Sequence, residues 1–252
     1  MAASAPLIKR PCSSTFVGRA REIELLDHAL VAARRGRGSL FVVTGEPGIG
    51  KTRLATEFEE RCDERGALAI WGRCWEAGGA PAFWPWTQIM RACFRLAPQV
   101  TGPFGLKDQL EVLLAEGPHH DTSSAPVDSE PSRFRLFDAA GRFLQAVARM
   151  QPLVLLLDDI HTADVPSLQL LSFLARDLNA SAILIIATCR EAEMQRQPDR
   201  TGFFQALARD GRRVALRGLE RDEVASLCVN VAERNIPSAV IAAVHEITEG
   251  NP

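Results

Sequence analysis

Apolar positions along the chain follow two spacings, one typical of helices and one typical of buried strands. Ile23, Leu26 and Leu30 recur at helical spacing in the segment FVGRAREIELLDHALVAARRG, which ends in glycine. The next segment, SLFVVT, is continuously apolar and rich in β-branched residues, as in a strand covered on both faces of a parallel sheet. The pattern therefore predicts a helix that leads into a buried strand.

The same alternation of helix and strand continues to about Arg190. A helix is expected at about 51–65, and ALAIWGRC has the pattern of a second buried strand. The remaining predicted elements are the helices in PWTQIMRACFRLA, 132–150 and 164–178, and the strands PLVLLLDD and SAILIIATCR. Such alternation predicts an α/β fold with an open parallel sheet sandwiched by helices.

Two stretches depart from this alternation. Residues 117–132 are dense in Pro, Ser and Asp without apolar periodicity, which predicts a mobile loop. Residues 191–213 are polar and predicted to be broken by loops. Beyond them, a short extended segment and two amphipathic helices at about 220–233 and 237–249 indicate a small helical part that follows the sheet.

Composition and charge narrow the classes of function. The chain has 29 Lys and Arg against 31 Asp and Glu, a net charge of −2, so direct DNA binding is not expected. The leading segment MAASAPLIKRPCSST lacks the apolar core of a signal peptide, and the apolar runs are too short to span a bilayer. A cytoplasmic protein with no membrane partner is the expectation.

The stretch GEPGIGKTR at residues 45–53 fits the pattern G-x-x-x-x-G-K-[ST]. Glycines let successive backbone amides turn inward and form an anion nest at the start of the following helix. Lys51 would place an ammonium on β- and γ-phosphate oxygens, and the Thr52 hydroxyl would ligate Mg²⁺. The predicted phosphate-binding residues are Gly45, Glu46, Pro47, Gly48, Ile49, Gly50, Lys51, Thr52 and Arg53.

The alternative interpretation of this stretch is a glycine-rich turn that arose by chance. The chain contains three lysines, at 9, 51 and 107, and a chance match in a chain of this composition is expected roughly 10⁻³ times. The loop also lies between a predicted buried strand and a predicted helix, which is the context that the motif requires. Both observations favour phosphate binding.

Two adjacent carboxylates, Asp158 and Asp159, end the apolar strand in PLVLLLDDIHTAD. Parallel strands bring their carboxyl ends to one edge of the sheet, where ligands bind in open α/β folds. Asp158 is predicted to hold Mg²⁺ through water or Thr52, and Asp159 to orient or deprotonate an attacking water. His161 and Asp164 are interpreted as a polar loop residue and a helix N-cap, respectively.

A further strand ends in ATCR, which places Arg190 at the same predicted edge. Arginine suits bidentate recognition of phosphate, so Arg190 is a candidate sensor of the γ-phosphate. The alternative is a solvated arginine at a strand end, which is common in a chain that takes nearly all its positive charge from arginine.

The segments FVGRAREIELL, GEPGIGKTR, LLLDDIHTAD, ATCR and EGNP together resemble the AAA+ ATPase module of the signal-transduction STAND class. More narrowly, the chain is similar to the nucleotide-binding domains of large LuxR-type transcriptional regulators and of some class III nucleotide cyclases. The resemblance covers about residues 16–252. It implies a P-loop NTPase fold with a small helical lid, binding of ATP or ADP with Mg²⁺, and an ATP-dependent switch that hydrolyses slowly.

The resemblance also implies roles for residues outside the phosphate loop. Val17 and Gly18 would place backbone against adenine, and Pro252 would pack on the base. The expected organisation is a flexible lead at 1–15, an AAA+ nucleotide-binding domain at 16–212 and a partial lid at 213–252, truncated at GNP. A downstream effector or signalling domain is the expected partner, and a nucleotide-dependent oligomer stays open.

Two other functions compete with the switch. An initiator of the Orc/Cdc6 type shares the VGR start and the phosphate loop, although the near-neutral charge and the lack of a winged helix count against DNA binding. A scaffold that holds nucleotide without hydrolysing it would also use the phosphate loop. The sequence leaves these alternatives to experiment.

Overall fold

The computed structural model describes residues 16–75, 80–101, 110, 130–196 and 198–252. The chain forms two compact units. The larger unit is Ala20–Leu216, and the smaller one joins residues 16–19 to Arg217–Pro252. The domain limits expected from the sequence, at 212 and 213, stay a prediction.

A five-stranded sheet forms the centre of the larger unit. The strands are β1 (Ser39–Thr44), β2 (Leu68–Arg73), β3 (Leu153–Asp158), β4 (Ile183–Cys189) and β5 (Arg212–Ala215). Their spatial order is β2-β3-β4-β1-β5, and every pairing is parallel. All the carboxyl ends therefore meet at one edge, and the predicted α/β fold is confirmed.

Helices cover both faces of this sheet. The helices of the larger unit are α1 (Ala20–Arg34), α2 (Lys51–Glu64), α3 (Trp84–Leu96), α4 (Glu130–Met150), α5 (Val165–Arg176), α6 (Glu191–Arg196) and α7 (Pro198–Asp210). Leu40 and Val42 belong to a core cluster with residues of α3, α4, α5 and α7. Phe41 and Val43 point the other way and are also buried, because α1 and α2 cover that face.

The aromatic stretch at the start of α3 is tied to α5. Phe83 and Trp86 are buried, and the Trp86 indole Nε1 donates a hydrogen bond of 3.0 Å to the carbonyl oxygen of Ser167. The bond satisfies the one polar group of the indole inside the core. Gly72 of β2 allows this close packing, since a Cβ there would lie 2.5 Å from the carbonyl oxygen of Pro85.

Two predictions of local structure need correction. Residues 191–213 are helical over most of their length, because buried Met194, Phe204 and Leu207 anchor α6 and α7 despite the polar sequence around them. The predicted mobile loop at 117–132 lies outside the described residues as far as 129, and 130–132 already belong to α4.

The smaller unit is built on two helices, α8 (Arg221–Ala232) and α9 (Ser238–Thr248), as the sequence predicts. Its core contains Leu219, Val224 and Ile241. Residues before α8 and after α9 pair, since the Leu219 amide donates to the carbonyl oxygen of Gly250 at 2.7 Å. None of the described helices combines the length and apolar character needed to cross a membrane.

Candidate functional site

The glycine loop joins the carboxyl end of β1 to the first residue of α2. Gly48 and Gly50 have φ values of 80° and 97°, in the left-handed region that glycine adopts at little cost. Gly50 is the N-cap of α2 and carries no side chain that could close the end of the helix. No side chain of this N-cap covers the start of α2, where the positive end of the helix dipole favours an anion.

Lys51 is the first residue of α2, and its side chain folds back over the loop. Its Nζ donates hydrogen bonds to the carbonyl oxygens of Gly45 at 3.0 Å and Glu46 at 2.8 Å. The residue is 6% exposed, and burial lowers the pKa of its ammonium, while the charge of Asp159 raises that pKa. An anion beside this ammonium would restore the stability of its charged form.

Asp158 lies at the end of β3 and is bonded by two hydroxyls. Thr52 Oγ1 donates to Asp158 Oδ1 at 3.0 Å, and Thr188 Oγ1 donates to the same oxygen at 2.6 Å. The carboxylate is 9% exposed. The structure thus joins the glycine loop, β3 and β4 through a single carboxylate, and it brings the two predicted metal ligands, Thr52 and Asp158, into contact.

Asp159 follows in an unusual backbone conformation. Its φ of 56° and ψ of 47° are left-handed, which is uncommon for a residue with a side chain. The Asp159 amide donates to Thr188 Oγ1 at 2.8 Å, and its side chain stays 26% exposed. Strain of this kind persists where surrounding contacts fix it, and it is frequent at functional sites.

Arg190 extends from the end of β4 to the same edge of the sheet. Its Nη1 donates to Glu193 Oε1 at 3.0 Å, and 30% of its side chain is exposed. The charges of Arg190 and Asp159 both act on the pKa of Lys51, which reflects their proximity to the loop. Lys51, Thr52, Asp158, Asp159 and Arg190 therefore share one edge.

The structure agrees with the prediction for Asp164 and places His161 in an unexpectedly buried position. Asp164 is the N-cap of α5, as predicted: its Oδ1 accepts from the Ser167 amide at 2.9 Å. His161, interpreted as a polar loop residue, lies in a 3-10 turn, Ile160–Thr162, and is 1% exposed. The imidazole contacts the Arg190 amide, directly after β4, and Glu193 of α6, which the local sequence does not reveal.

The other predicted nucleotide-binding residues fall into two groups. Glu46, Pro47 and Gly48 are exposed at the tip of the loop, Ile49 is buried beneath it, and Arg53 lies 3.7 Å from Glu57 on α2. Val17, Gly18 and Pro252 belong to the smaller unit. In that unit Gly18 has a φ of 70° and lies so close to Glu223 that a Cβ would be 2.4 Å from its Oε1.

Sequence reasoning gave no role to Thr188, although the structure places it between the two acids. Its hydroxyl accepts from the Asp159 amide and donates to Asp158 Oδ1. A signal existed in the sequence, since Thr188 is a polar residue inside an apolar strand and is 1% exposed. A buried hydroxyl needs a partner, which predicts a polar contact but does not identify it.

The donor set at this edge suits a hydrated magnesium ion bound to phosphate. Mg²⁺ prefers oxygen ligands and usually keeps several waters, so one hydroxyl and one carboxylate are sufficient protein ligands. Thr52 and Asp158 supply these oxygens beside the glycine loop. In the part of the chain that the structure describes, no group of three or more His, Cys, Asp or Glu side chains forms a metal cluster.

Comparison with known proteins agrees with this geometry. The family model described as AAA ATPase domain matches residues 15–186. An uncharacterized protein of Rhizobium meliloti (strain 1021) is 25% identical over 225 residues, which are 82% of this chain and 21% of the relative. The chain thus spans about a fifth of the curated relative that it matches.

Two solved structures are similar to the chain. One is a Signal Transduction ATPase with Numerous Domains (STAND) protein with a tetratricopeptide repeat sensor from Pyrococcus horikoshii, 20% identical with a TM-score of 0.53. The match covers 96% of this chain and 30% of that protein. The other is Cdc6p from Pyrobaculum aerophilum, 17% identical with a TM-score of 0.49, covering 87% of this chain and 52% of that one.

Proposed function

The chain belongs to the AAA ATPase domain family, and from this membership we propose that it binds ATP with Mg²⁺ and acts as a nucleotide-dependent signalling switch. The proposal assigns the phosphates to loop 45–53 and the start of α2. Hydrolysis at the edge of the sheet resets the switch, and it is slow.

The hydrogen bond between Thr52 and Asp158 is the observation that carries the proposal. It joins residues 106 positions apart in the sequence, at a separation of 3.0 Å. A glycine loop alone is compatible with a structural turn, and an acidic strand end alone is compatible with a helix cap. Their direct contact is what a site for magnesium and phosphate requires, because the metal is held by one hydroxyl and one carboxylate.

Each residue of the edge has a separate task in this proposal. Mg²⁺, when bound by Thr52 and Asp158, supplies charge neutralisation for the phosphate oxygens. Lys51 turns from its carbonyl partners to the β- and γ-phosphates. Asp159, which is more exposed than Asp158, orients a water and accepts its proton. Arg190 contacts the γ-phosphate.

The adenine end of the nucleotide is assigned to Val17, Gly18 and Pro252. Gly18 has a φ of 70° and no room for a Cβ beside Glu223, so this position of the assigned segment requires glycine. All three residues belong to the smaller unit.

The output of the switch is proposed to be an effector or signalling domain, such as a transcriptional or cyclase module. The similarity to the Pyrococcus horikoshii protein, a signal-transduction ATPase with a repeat sensor, supports a role of this class. Oligomerisation that depends on nucleotide belongs to the same proposal. The near-neutral charge of the chain gives no support to direct DNA binding.

Phosphate release tests the catalytic part of the proposal. Wild type with ATP and Mg²⁺ should release phosphate slowly, and Asp159→Asn should release it about 100-fold more slowly, since general base catalysis is typically worth that much. Asp210→Asn, a change of the same kind at the end of α7, is the control and should match wild type.

Binding must be measured on the same samples. Asp159→Asn should bind ATP as tightly as wild type, because Asp158 and Lys51 are intact. Phosphate release by wild type no faster than by Asp159→Asn, with binding preserved in both, would favour a scaffold that never hydrolyses. Absence of binding in wild type would refute the proposal as a whole.

A further inference from the structure

The buried imidazole of His161 is connected with Arg190 and Glu193 by three mutual contacts. The Arg190 backbone amide donates to His161 Nδ1 at 3.4 Å. His161 Nε2 lies 3.3 Å from Glu193 Oε2, and Glu193 Oε1 accepts from Arg190 Nη1 at 3.0 Å. Arg190 is therefore contacted at two places, at its backbone amide by His161 and at its guanidinium by Glu193.

The tautomer of His161 follows from this arrangement. A neutral imidazole has one donor and one acceptor nitrogen, and Nδ1 is the acceptor because it receives the Arg190 amide. The ring proton is then on Nε2, which lies 3.3 Å from Glu193 Oε2, a contact that is electrostatic rather than a hydrogen bond. Both oxygens of Glu193 are used, one towards the ring and one towards the guanidinium.

The surrounding elements fix these groups in place. Arg200 of α7 donates from Nη1 to the carbonyl oxygen of His161, which ties the turn to α7. Met194 is fully buried and anchors α6, whose first turn carries Glu193. The amides of Glu193 and Met194 donate to the carbonyl oxygen of Arg190 at 3.1 and 3.2 Å. A long, flexible arginine is thereby restricted to few rotamers.

We infer that His161 and Glu193 are positioning residues, which hold the Arg190 guanidinium in the orientation that recognises the γ-phosphate. The inference rests on the proposed function and adds two residues that this function does not itself require. An arginine that is already ordered loses less side-chain entropy when it binds phosphate. His161 Nδ1 also lies 3.6 Å from Asp159 Oδ1, so the ring is close to both Arg190 and Asp159.

A purely structural role for the same contacts makes a different prediction. If His161 and Glu193 only pack α6 against the turn, their removal lowers stability and leaves the preference for ATP over ADP unchanged. If they position Arg190, the preference falls even in variants that fold normally. The ratio of the two affinities therefore separates the two roles.

The test compares affinities for a non-hydrolysable ATP analogue and for ADP, each with Mg²⁺, by titration of the 252-residue chain. Arg190→Ala removes the guanidinium itself and therefore defines the largest loss of preference for ATP over ADP that the other variants can show. Glu193→Ala and His161→Ala should each reduce the ratio roughly 10-fold, the worth of a hydrogen bond to a charged group. The double variant should lose no more than either single one, because the contacts act as one unit.

Three further variants control for folding and for charge. Glu193→Gln keeps the shape of the side chain and should still reduce the ratio, although less than alanine. His161→Gln can replace the Nε2 donor and should retain more of the preference than His161→Ala. Glu191 lies on the same helix and pairs with Arg213 at 2.5 Å rather than with Arg190. Glu191→Gln should therefore leave the ratio of the two affinities unchanged. Thermal melting establishes which variants are folded.

The outcomes distinguish the inference from the proposed function. Folded Glu193 and His161 variants with the wild-type ratio would overturn the inference, and so would an unchanged ratio in Arg190→Ala. In both cases ATP binding by wild type would leave nucleotide binding at loop 45–53 standing, although an unchanged ratio in Arg190→Ala would also remove Arg190 from the proposed γ-phosphate contacts. Wild type that binds neither nucleotide would refute both.

Discussion

At the scale of single residues, one hydroxyl organises the acidic edge of the sheet. Thr188 bridges the Asp159 amide and the Asp158 carboxylate, and it does so from a position that is 1% exposed. A bridge of this kind ties the backbone of Asp159 to the side chain of Asp158. It also explains how Asp159 is kept in its left-handed conformation.

Replacement of Thr188 tests this bridge. Thr188→Val keeps the shape of the side chain and removes the hydroxyl, which leaves Asp158 and the Asp159 amide with one partner fewer. The free energy of unfolding should fall by about 1–3 kcal/mol, the cost of an unsatisfied buried polar group. Denaturant unfolding measures the change, and Thr188→Ser is the matched control because it retains the hydroxyl. Equal stability of Thr188→Val and wild type would contradict the bridge.

Single residues also show which parts of the candidate site can be predicted from the sequence. The spacing of Gly45, Gly50, Lys51 and Thr52 identifies the loop, and the apolar strand before Asp158 places that acid at its end. The contact between His161 and Glu193 could not be predicted, because Glu193 lies 32 positions away on α6, in a polar stretch whose sequence does not predict a helix. Contacts between side chains from different elements depend on packing that local patterns do not encode.

At the scale of elements, the connection between α3 and α5 depends on one carboxylate. Asp164 accepts from the amide of Ser167 and, at 3.3 Å, from the amide of Phe83. It therefore caps α5 and holds the chain that enters α3 with the same side chain. Phe83 is the N-cap of α3, has a φ of 63° and is buried, so this entry needs an external hydrogen-bond partner.

Removal of this cap gives a second prediction. Asp164→Ala should lower the free energy of unfolding by about 1–2 kcal/mol, at the upper end for an N-cap because two amides lose their acceptor. Asp164→Asn should recover most of the loss, since asparagine also caps. Asp177→Ala, at the other end of α5, is the control because its side chain makes no capping bond. An equal loss in Asp164→Ala and Asp177→Ala would show that the cap contributes nothing.

The elements that the sequence predicts best are the buried ones. Strands such as β3 and β4 are apolar at every or nearly every position because both faces are covered, and a short run of this kind is typical of a central strand in a parallel sheet. Helices α6 and α7 were not predicted, because a few buried side chains, among them Met194 and Leu207, anchor them within a polar stretch. Short amphipathic helices of this kind are stabilised by tertiary contacts that the sequence alone does not show.

At the scale of the whole molecule, buried thiols couple stability to pH. Burial raises the pKa of Cys62, Cys93 and Cys189 to about 12, and that of Cys74 likewise. The ordinary value is 9.0, so the unfolded chain loses these protons first as pH rises. The contribution is complete below pH 9 and is lost between pH 9 and 12.

The resulting third prediction is a loss of stability that begins at about pH 9 and makes the chain less stable at pH 10 than at pH 8. Each buried thiol contributes a slope of about 1.4 kcal/mol per pH unit once its unfolded form ionises. Lys51 acts in the opposite direction, because its lowered pKa makes stability rise up to 10.5, but it is a single group. The chain contains no tyrosine, so thiols dominate this range. Urea unfolding measures the change.

Replacement of a thiol provides the control for this pH dependence. Cys93→Ala should flatten the slope above about pH 9 in proportion to the one thiol that it removes, even if it is less stable at pH 8. A free energy of unfolding that is the same at pH 8 and pH 10 in wild type would contradict the burial of these thiols. Alkylation at pH 8 should correspondingly spare Cys62, Cys93 and Cys189 in the folded chain.

Nucleotide titration of wild type and Lys51→Ala tests the central claim most directly. With Mg²⁺ present, wild type should bind ATP, and Lys51→Ala should bind it about 10- to 100-fold more weakly, because a charged hydrogen-bond donor to the phosphates is lost. Arg61→Ala removes a positive charge further along α2 and should bind as wild type does. Equal ATP affinity of wild type and folded Lys51→Ala would contradict the account.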